Sequence, residues 1–270
     1  MGGGVVNRNL AEPASWAPVS IVPYRGGQSG YIPHLLERAK PGLIAVRSDG
    51  RRFANEANCY HEFMGALQKV TPEGELPRCW LIVDSKFLRR YGLGMVKPAP
   101  VPFRHHLRSG YLKTGGSLEE LALACGINPA GLAQTVESFN RHAVAGEDPE
   151  FGRGDTNFNR AVGDPAVKPN PCVAAIEKGP FYAVEIRTGS LGTFMGLAVD
   201  GNAQVLDAEN HPISGLYAVG TDSASIMGGT YPAGGINLGP GMTFGFVAGR
   251  HLAGLGPINE NQNGQTNEIL

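Results

Sequence analysis

A glycine-rich stretch near the C-terminus combines residue types that could bind a flat or anionic ligand. Residues 225–252 read SIMGGTYPAGGINLGPGMTFGFVAGRHL, and Tyr231 lies among their glycines. The preceding GLYAVG predicts a short buried strand that ends at Gly220. Glycine lets a ring approach the backbone closely, and a helix N-terminus attracts negative charge. A tightly packed strand–helix connection would show the same pattern, so spacing alone leaves both interpretations open.

Other polar groups are better explained by structural roles. RFANE, residues 52–56, predicts an ion-pair hub where two domains meet. We interpret the run from Arg104 to His106 as an exposed loop, because adjacent histidines do not share a helix face and no carboxylate follows at ligand spacing. No metal site is therefore predicted. The four cysteines form no CxxC pair, which argues against zinc or a redox dithiol, and Cys172 is expected to be buried and inert.

Length, charge and hydropathy narrow the class of protein. The 270 residues are enough for two domains or one large domain. A formal net charge of -1 disfavours nucleic acid and anionic membrane surfaces as partners. No segment approaches the roughly 18 consecutive apolar residues of a membrane span. The N-terminus lacks the basic start and apolar run of a secretory signal. We therefore predict a cytoplasmic protein without a transmembrane segment.

The first 180 residues predict helices and strands between irregular segments. LIAVRSDGRRF predicts a strand, a turn at Asp49-Gly50 and a short return strand. Glycine, proline or polar residues predict irregular structure over residues 1–30, 93–116 and 147–180. NEANCYHEFMGALQ predicts a helix, and RCWLIVDSKFLRRYG predicts a buried strand followed by a helical turn that ends at Gly92. Another helix is predicted to start after Ser117, which forms a capping box with Glu120, and a further one runs from Asn128 and ends before Gly146.

The region after Gly179 predicts β-structure followed by one helix. Its alternating β-branched and aromatic residues predict three or four strands, with turns at residues 200–202 and 208–211. Pro240 suits the first turn of a helix from about Gly241 to Ala253. The helix would carry an apolar stripe of Phe244, Val247, Ala248 and Leu252.

Five motifs together resemble one flavoprotein superfamily. The stretch GLYAVGTDSASIMGGTYPAGGINLGPGMTFGFVAGRHLAG resembles the C-terminal FAD-contacting motif of the fumarate reductase/succinate dehydrogenase flavoproteins, and most of all that of the 3-ketosteroid Δ1-dehydrogenase branch. The other four are WAPVS, PGLIAVRSDGRRFANEANCYHEF, FGRGDTNFNR and GTFMGLAVD. The resemblance implies FAD as cofactor and an α+β fold. It also implies a substrate domain with an N-terminal connecting segment over residues 1–180 and the C-terminal part of a Rossmann-like FAD-binding domain over residues 181–257. The polar composition of residues 258–270 predicts a disordered tail.

The resemblance also leaves an expected element unaccounted for. Members of the superfamily begin with a strand–GxGxxG–helix unit that holds the FAD pyrophosphate, whereas Gly2–Gly4 follow no strand. The chain thus resembles roughly the C-terminal half of a longer flavoprotein. A truncated gene, a misassigned start and a split protein with a separately encoded N-terminal half all remain open.

The resemblance implies roles for individual residues. Tyr231 and the backbone N–H of Gly235 match the groups that hold a substrate ketone, and Tyr60 matches the catalytic base. The remaining matches are to cofactor contacts, and they are Gly220, Asp222, Gly234, Asn237, Leu238 and Gly239. The implied reaction is Δ1-dehydrogenation of a 3-ketosteroid-like substrate, in which a proton leaves the carbon beside the ketone and a hydride goes to flavin N5. Without the resemblance, Tyr60 could be a core aromatic and Asp222 a turn cap.

Two alternatives to the steroid-type dehydrogenase are considered. A fumarate-reductase-like enzyme would need arginine and histidine clamps for two carboxylates. This chain has Tyr60 on the relevant helix, Phe194 within GTFMG, and no arginine in SIMGGTYPAGG, which favours a neutral ketone. The other alternative is a non-catalytic remnant that binds no flavin. The electron acceptor is not indicated by the sequence.

Overall fold

The computed structural model describes residues 4–7, 11–24 and 26–256, which form two compact units. One unit is Trp16–Gly189, and the other consists of the flanking residues up to Ser15 and from Ser190 onward. The boundary at Gly189 falls inside a strand, and the described residues before Trp16 group with those from Ser190 onward. The assignment of substrate and FAD-binding roles to residues 1–180 and 181–257 stays a prediction. The disordered tail predicted for residues 258–270 lies outside the described residues.

The described residues contain both helices and strands, as the α+β prediction required. The strands are β1 (Val6–Asn7), β2 (Ala14–Pro23), β3 (Ser29–Pro33), β4 (Leu43–Val46), β5 (Arg78–Val83), β6 (Lys113–Gly115), β7 (Phe181–Thr193), β8 (Gly196–Leu197), β9 (Gln204–Leu206) and β10 (Pro212–Tyr217). The α-helices are α1 (Tyr60–Lys69), α2 (Ser85–Tyr91), α3 (Arg104–Arg108), α4 (Leu118–Cys125), α5 (Pro129–Ala143), α6 (Asn157–Val162) and α7 (Leu238–Leu252). Short 3-10 turns cover Glu37–Ala39 and Gly220–Asp222.

The Trp16–Gly189 unit is built on a six-stranded sheet that is buried on both faces. Its strand order is β3-β2-β7-β5-β4, with β6 also paired to β7. Alternate residues of β5 enter two cores: Leu81 packs with α1 and α2, and Ile82 packs with α4 and α5. Because each face of the strand has its own apolar layer, LIAV and CWLIV are continuous apolar runs and not alternating patterns.

Several local predictions for this unit are confirmed. The helix after Ser117 has the predicted cap, because the Ser117 hydroxyl accepts a hydrogen bond from the Glu120 N–H at 3.1 Å. Asn128 caps α5 in the same way through the N–H of Gly131 at 2.9 Å. β5, α2 and its end at Gly92 also follow the prediction.

Other predictions for this unit are wrong. Residues 14–23 form β2, a strand whose buried Ser15 and Ser20 disguise its apolar pattern. The return strand after Asp49-Gly50 is absent among the described residues, because residues 52–58 turn into a buried ion-pair cluster. The segment 93–116 contains α3 and β6, and His106 is buried on α3 and not exposed in a loop.

The second unit consists of small β-pairs followed by α7. β1 pairs with β8, and β9 pairs with β10, each in antiparallel orientation. The prediction of several short strands is confirmed, but β10 is largely exposed and not buried. α7 begins at Leu238, earlier than predicted, with Pro240 in its first turn. Of the predicted stripe, Ala248 is buried and Leu252 is exposed.

Candidate active site

The glycine-rich segment of the second unit contains two kinds of glycine. A Cβ atom on Gly229 would lie 2.6 Å from the backbone nitrogens of Ala11 and Glu12, and its φ is +84°. Gly220 has a φ of +64° and lies beside Gly241, where an added Cβ would be in ordinary van der Waals contact, 3.6 Å from the Gly241 Cα. These positions fit the packed strand–helix connection that the sequence left open.

The remaining glycines of this segment face open space. A Cβ on Gly234, Gly235 or Gly239 would meet no atom within 4 Å among the described residues, so packing does not explain them. Gly235 has a φ of +97°, a conformation that side chains rarely adopt. The backbone from residue 234 to the start of α7 therefore presents a bare, accessible edge of the kind that a flat ring can approach.

The N-terminus of α7 has no side-chain cap. Asn237 occupies the cap position, and its side chain accepts no bond from the helix. Instead its amide lies 3.4 Å from the carbonyl oxygen of Leu191 and 3.5 Å from Ser15 Oγ. Leu238, the first residue of the helix, is exposed. The Gly239 N–H donates to the Gly235 carbonyl at 2.7 Å and Pro240 has no N–H, so this end of the helix offers a negatively charged ligand group the Leu238 N–H and the helix dipole.

Asp222 lies in the 3-10 turn that follows Gly220. Its carboxylate is exposed and caps no described helix or turn. The turn is held instead by backbone and hydroxyl groups: Thr193 donates from Oγ1 to the Thr221 carbonyl at 2.8 Å, and Ser223 donates to the Gly220 carbonyl at 3.0 Å. The capping alternative for Asp222 is therefore not what the structure shows, and the carboxylate is available to accept hydroxyl donors.

Tyr231 is buried in the same unit as the open glycines. It is 6% exposed, and its ring centroid lies 6.3 Å from that of the buried Phe194. Three residues separate Tyr231 from Gly235, so the phenol and the open glycine edge belong to one short segment. This unit thus combines a buried aromatic ring, a phenol and an open glycine backbone.

Tyr60 is the first residue of α1, in the Trp16–Gly189 unit. The fully buried face of α1 is formed by Phe63, Met64 and Leu67, whereas Tyr60 is only partly buried. The next residue, His61, accepts a hydrogen bond at Nδ1 from the Trp16 N–H at 3.1 Å and so fixes the start of the helix to β2. Because Tyr60 is outside the core set, the core-aromatic alternative is weakened, and its role as base stays a prediction.

The ion pairs predicted for residues 52–56 are present, but their partners lie within the Trp16–Gly189 unit and not where two domains meet. The guanidinium of Arg52 donates to both oxygens of Glu56 and to both oxygens of Asp148, at 2.7–2.8 Å. Arg153 adds a 3.1 Å contact to Glu56. Burial opposes ionisation of Glu56, but the charge and hydrogen bonds of Arg52 outweigh it and lower its pKa to about 2. All four groups are buried, so the hub stabilises the fold and is not open to a substrate.

The segment 147–180 was wrongly predicted to be a surface loop. Arg153, Asn159, Asn170 and Cys172 are all buried, and α6 lies within it. Their polar atoms are satisfied internally, as when the Cys172 thiol donates to the Asn159 carbonyl at 3.0 Å. Cys172 is buried, as predicted, and burial raises its thiol pKa. Polar composition alone could not reveal this burial.

A second buried polar chain was missed altogether. His34 Nε2 lies 2.7 Å from Ser20 Oγ, which lies 2.9 Å from the Tyr111 hydroxyl. On the other side, His34 Nδ1 is 2.7 Å from Glu37 Oε1, although this contact is out of line with the ring N–H. Ser20 and His34 are sealed from solvent, so the chain ties strands and turns together. No periodic signal in the sequence links these four positions.

Comparison with known proteins identifies the family. The family model described as an FAD binding domain matches residues 1–238. The chain belongs to this family of FAD-binding flavoproteins. The family prediction and the FAD prediction are thereby confirmed, whereas the cofactor contacts of individual residues stay predictions.

Individual flavoprotein relatives are similar over nearly the whole chain. The 4-oxocyclohex-2-ene-1-carboxylate 5-dehydrogenase of Sinomonas cyclohexanicum is 45% identical over 97% of this chain and 44% of its own length. The 3-oxosteroid 1-dehydrogenase of Mycolicibacterium smegmatis is 37% identical over 90% of this chain and 43% of its own length.

A solved structure is also similar. The 3-ketosteroid Δ1-dehydrogenase of Sterolibacterium denitrificans, in complex with 1,4-androstadiene-3,17-dione, is 40% identical and has a TM-score of 0.86, covering 93% of this chain and 45% of that one. The chain therefore spans less than half the length of the relatives that it matches. Among the described residues, no helix has the length and apolarity needed to cross a bilayer, and no group of three or more metal-ligating side chains is present.

Proposed function

We propose that this flavoprotein chain supplies the ketone-binding groups and part of the FAD-binding surface of a dehydrogenase that acts on a CH–CH bond beside a ring ketone. The observation that carries the proposal is the contrast among glycines. Gly229 is packed against backbone atoms, whereas Gly234, Gly235 and Gly239 are open at or near the start of α7. Bare backbone at this place has no packing explanation and is suited to a flat cofactor.

Tyr231 and Gly235 would polarise the substrate ketone. As a proton leaves the neighbouring carbon, negative charge develops on the ketone oxygen, and two neutral donors stabilise it. The buried Phe194 beside Tyr231 lowers the local dielectric, so each hydrogen bond gains strength. Neutral donors cost less to bury than a cation would. FAD, when bound, supplies the acceptor for the hydride that leaves the adjacent carbon.

Tyr60 would take the proton. An unperturbed phenol has a pKa of about 10, so it needs a neighbouring donor or positive field to act near neutral pH. Tyr60 begins α1, where the helix N-terminus favours the ionised phenolate. The helix contribution alone is worth about 0.3–1 kcal/mol, less than one pKa unit, so further help is required.

Two substrates compete within this proposal. A 3-ketosteroid-like substrate is favoured by the motifs and by the similar steroid dehydrogenase structure. A 4-oxocyclohexane or cyclohexene carboxylate is favoured by the 45% identity to the Sinomonas dehydrogenase. Both carry a CH–CH bond beside a ring ketone, so the roles of Tyr231, Gly235 and Tyr60 are the same in either case.

An N-terminal FAD-binding half, joined or encoded separately, is part of the proposal. α7 exposes Leu238, Met242 and Phe246 at every fourth position, at 73%, 76% and 56%. Large apolar groups repeated along one helix face are typical of a surface that another protein layer covers. The chain covers 44% of the length of the Sinomonas dehydrogenase, and a segment equivalent to the rest of that protein would form such a layer.

The test joins this chain to the N-terminal portion of the Sinomonas dehydrogenase. Turnover is measured with an artificial electron acceptor on a 3-ketosteroid, on 4-oxocyclohexanecarboxylate and on fumarate. We expect turnover on one of the ring ketones and none on fumarate. Tyr60→Phe should abolish most of it, whereas Tyr31→Phe, at an exposed tyrosine, should not. A protein that holds FAD but turns over no ring ketone would overturn the proposal, and turnover that survives Tyr60→Phe would remove Tyr60 from it.

A further inference from the structure

The Trp16–Gly189 unit contains a cleft that the proposed function does not use. The cleft has a volume of about 590 Å³, within the range of small-molecule sites. Four basic side chains line it, and none of the described residues that line it is acidic. The basic residues are Lys86, Arg89, Arg90 and Lys178. None of the residues assigned to the ketone or to FAD lies in its wall.

The cleft has a fixed framework. The Ser85 N–H and hydroxyl both donate to the Lys178 carbonyl, at 3.0 and 2.7 Å, which holds the start of α2 against the segment before β7. The Ala99 N–H donates to the Arg89 carbonyl at 2.9 Å and holds the opposite wall to the end of α2. Buried Asp84 caps α2 and also accepts from the Lys178 N–H at 3.1 Å.

Two of the four cations have no carboxylate partner. Lys86 lies 3.6 Å from Glu177, and Arg90 lies 2.6 Å from Asp164. Among the described residues, no carboxylate lies within ion-pair distance of Arg89 or Lys178. Both side chains are exposed and hydrated, so they are accessible to an anionic ligand.

The rest of the wall is apolar. Phe103 and Tyr182 meet edge to face with ring centroids 5.8 Å apart, and Leu88 and Pro180 lie beside them. Tyr182 is almost wholly buried, and burial raises its pKa. A rigid aromatic wall beside unpaired cations favours a ligand that has a ring and an anionic group.

We propose that this cleft binds a small organic anion, whose carboxylate or sulfonate group meets Arg89 and Lys178 and whose ring contacts Phe103 and Tyr182. A bare inorganic anion would leave the apolar wall exposed to water, and a neutral ring would leave the cations unpaired. The inference does not depend on FAD or on catalysis, because every contact it uses lies in the sheet-based unit.

The test titrates the full chain with naphthalene-2-sulfonate by calorimetry. Its neutral analogue naphthalene-2-sulfonamide and sodium sulfate are titrated in parallel. The double variant Arg89→Ala/Lys178→Ala removes the unpaired cations. Arg51→Ala/Lys69→Ala is the matched control, because it removes two exposed cations from the same unit and changes net charge equally. Circular dichroism verifies that both variants are folded.

We expect one-to-one binding of the sulfonate to the wild type and to the control. Binding to the cleft variant should be weaker by about tenfold or more, since two charge-assisted contacts are lost. The sulfonamide and sulfate should each bind more weakly than the sulfonate. The proposal is overturned if the sulfonate fails to bind at millimolar concentration, if it binds the cleft variant as well as the control, or if either parallel ligand matches it.

Discussion

Replacing Glu56 with glutamine tests whether the buried hub holds the sheet-based unit together. Glutamine has the same shape, so the substitution removes charge and not volume. In the wild type the carboxylate accepts from Arg52 and Arg153 and from the Ala45 N–H at 3.0 Å. In the variant, Arg52 would keep Asp148, whereas Arg153 would lose the carboxylate that lies within ion-pair distance of it among the described residues.

The structure allows the cost to be worked out in two ways. Removing one partner of a buried ion pair typically costs about 3–5 kcal/mol. Independently, a fall in the pKa of Glu56 from 4.5 to about 2 corresponds to about 3 kcal/mol of stabilisation, at 1.36 kcal/mol per unit. Both routes give a loss of roughly 3–5 kcal/mol in the free energy of unfolding at neutral pH.

The pH dependence follows from the sign of the shift. The folded pKa of Glu56 lies below the unfolded value, so its stabilisation is complete above about pH 4.5 and is lost as the pH falls toward 2. The gap between wild type and Glu56→Gln should therefore be about 1 kcal/mol smaller at pH 4 than at pH 7.

The assay is urea unfolding of both proteins at pH 7 and pH 4, followed by tryptophan fluorescence. Glu137→Gln is the control, because Glu137 is 75% exposed and only 3.5 Å from Arg141 on α5. It should cost less than about 0.5 kcal/mol at either pH. A Glu56→Gln loss below about 1 kcal/mol, or a gap that does not change with pH, would refute the reasoning.

Three further outcomes are expected. Tyr231→Phe in the joined enzyme should lower kcat on the ring ketone by about 10²–10³, as loss of one oxyanion donor does, and unchanged turnover would end its polarising role. Gly229→Ala should lower stability by at least about 1–3 kcal/mol because its φ is positive and its Cβ would strike backbone atoms, whereas Gly234→Ala, with open space around it, should have no comparable effect in thermal unfolding. Ser117→Ala should cost about 1 kcal/mol through loss of the α4 cap; a urea midpoint equal to that of the wild type would contradict the cap's contribution.

The elements predicted well are those whose signal is local. The apolar runs of β4 and β5 and the caps at Ser117 and Asn128 are decided by adjacent residues, so the sequence contains their cause. The prediction of irregular structure was wrong in segments where the buried residues are polar and not apolar. Arg153 lies in a segment with the composition of a surface loop. It is nevertheless buried, because Glu56, nearly a hundred positions earlier in the chain, neutralises its charge.

The candidate site was predictable only in part. Tyr231 and Gly235 lie in one short segment, so their proximity and their match to one motif are both visible in the sequence. Which glycines are packed and which are open depends on distant contacts such as that between Gly229 and Ala11, and no sequence pattern contains that information. Tyr60 belongs to the other compact unit, so its part in the reaction depends on how the two units are arranged and stays a proposal.

The hub joins residues 96 positions apart in the chain, and this separation bears on the order of folding events. Closing so long a loop costs entropy, and pairing two charges stabilises them strongly only where water is excluded, so Arg52 and Asp148 should meet after the two apolar layers have collapsed. An interaction that is absent from the folding transition state affects the unfolding rate and not the folding rate. Removing the hub should therefore speed unfolding many-fold and leave the rate of refolding almost unchanged.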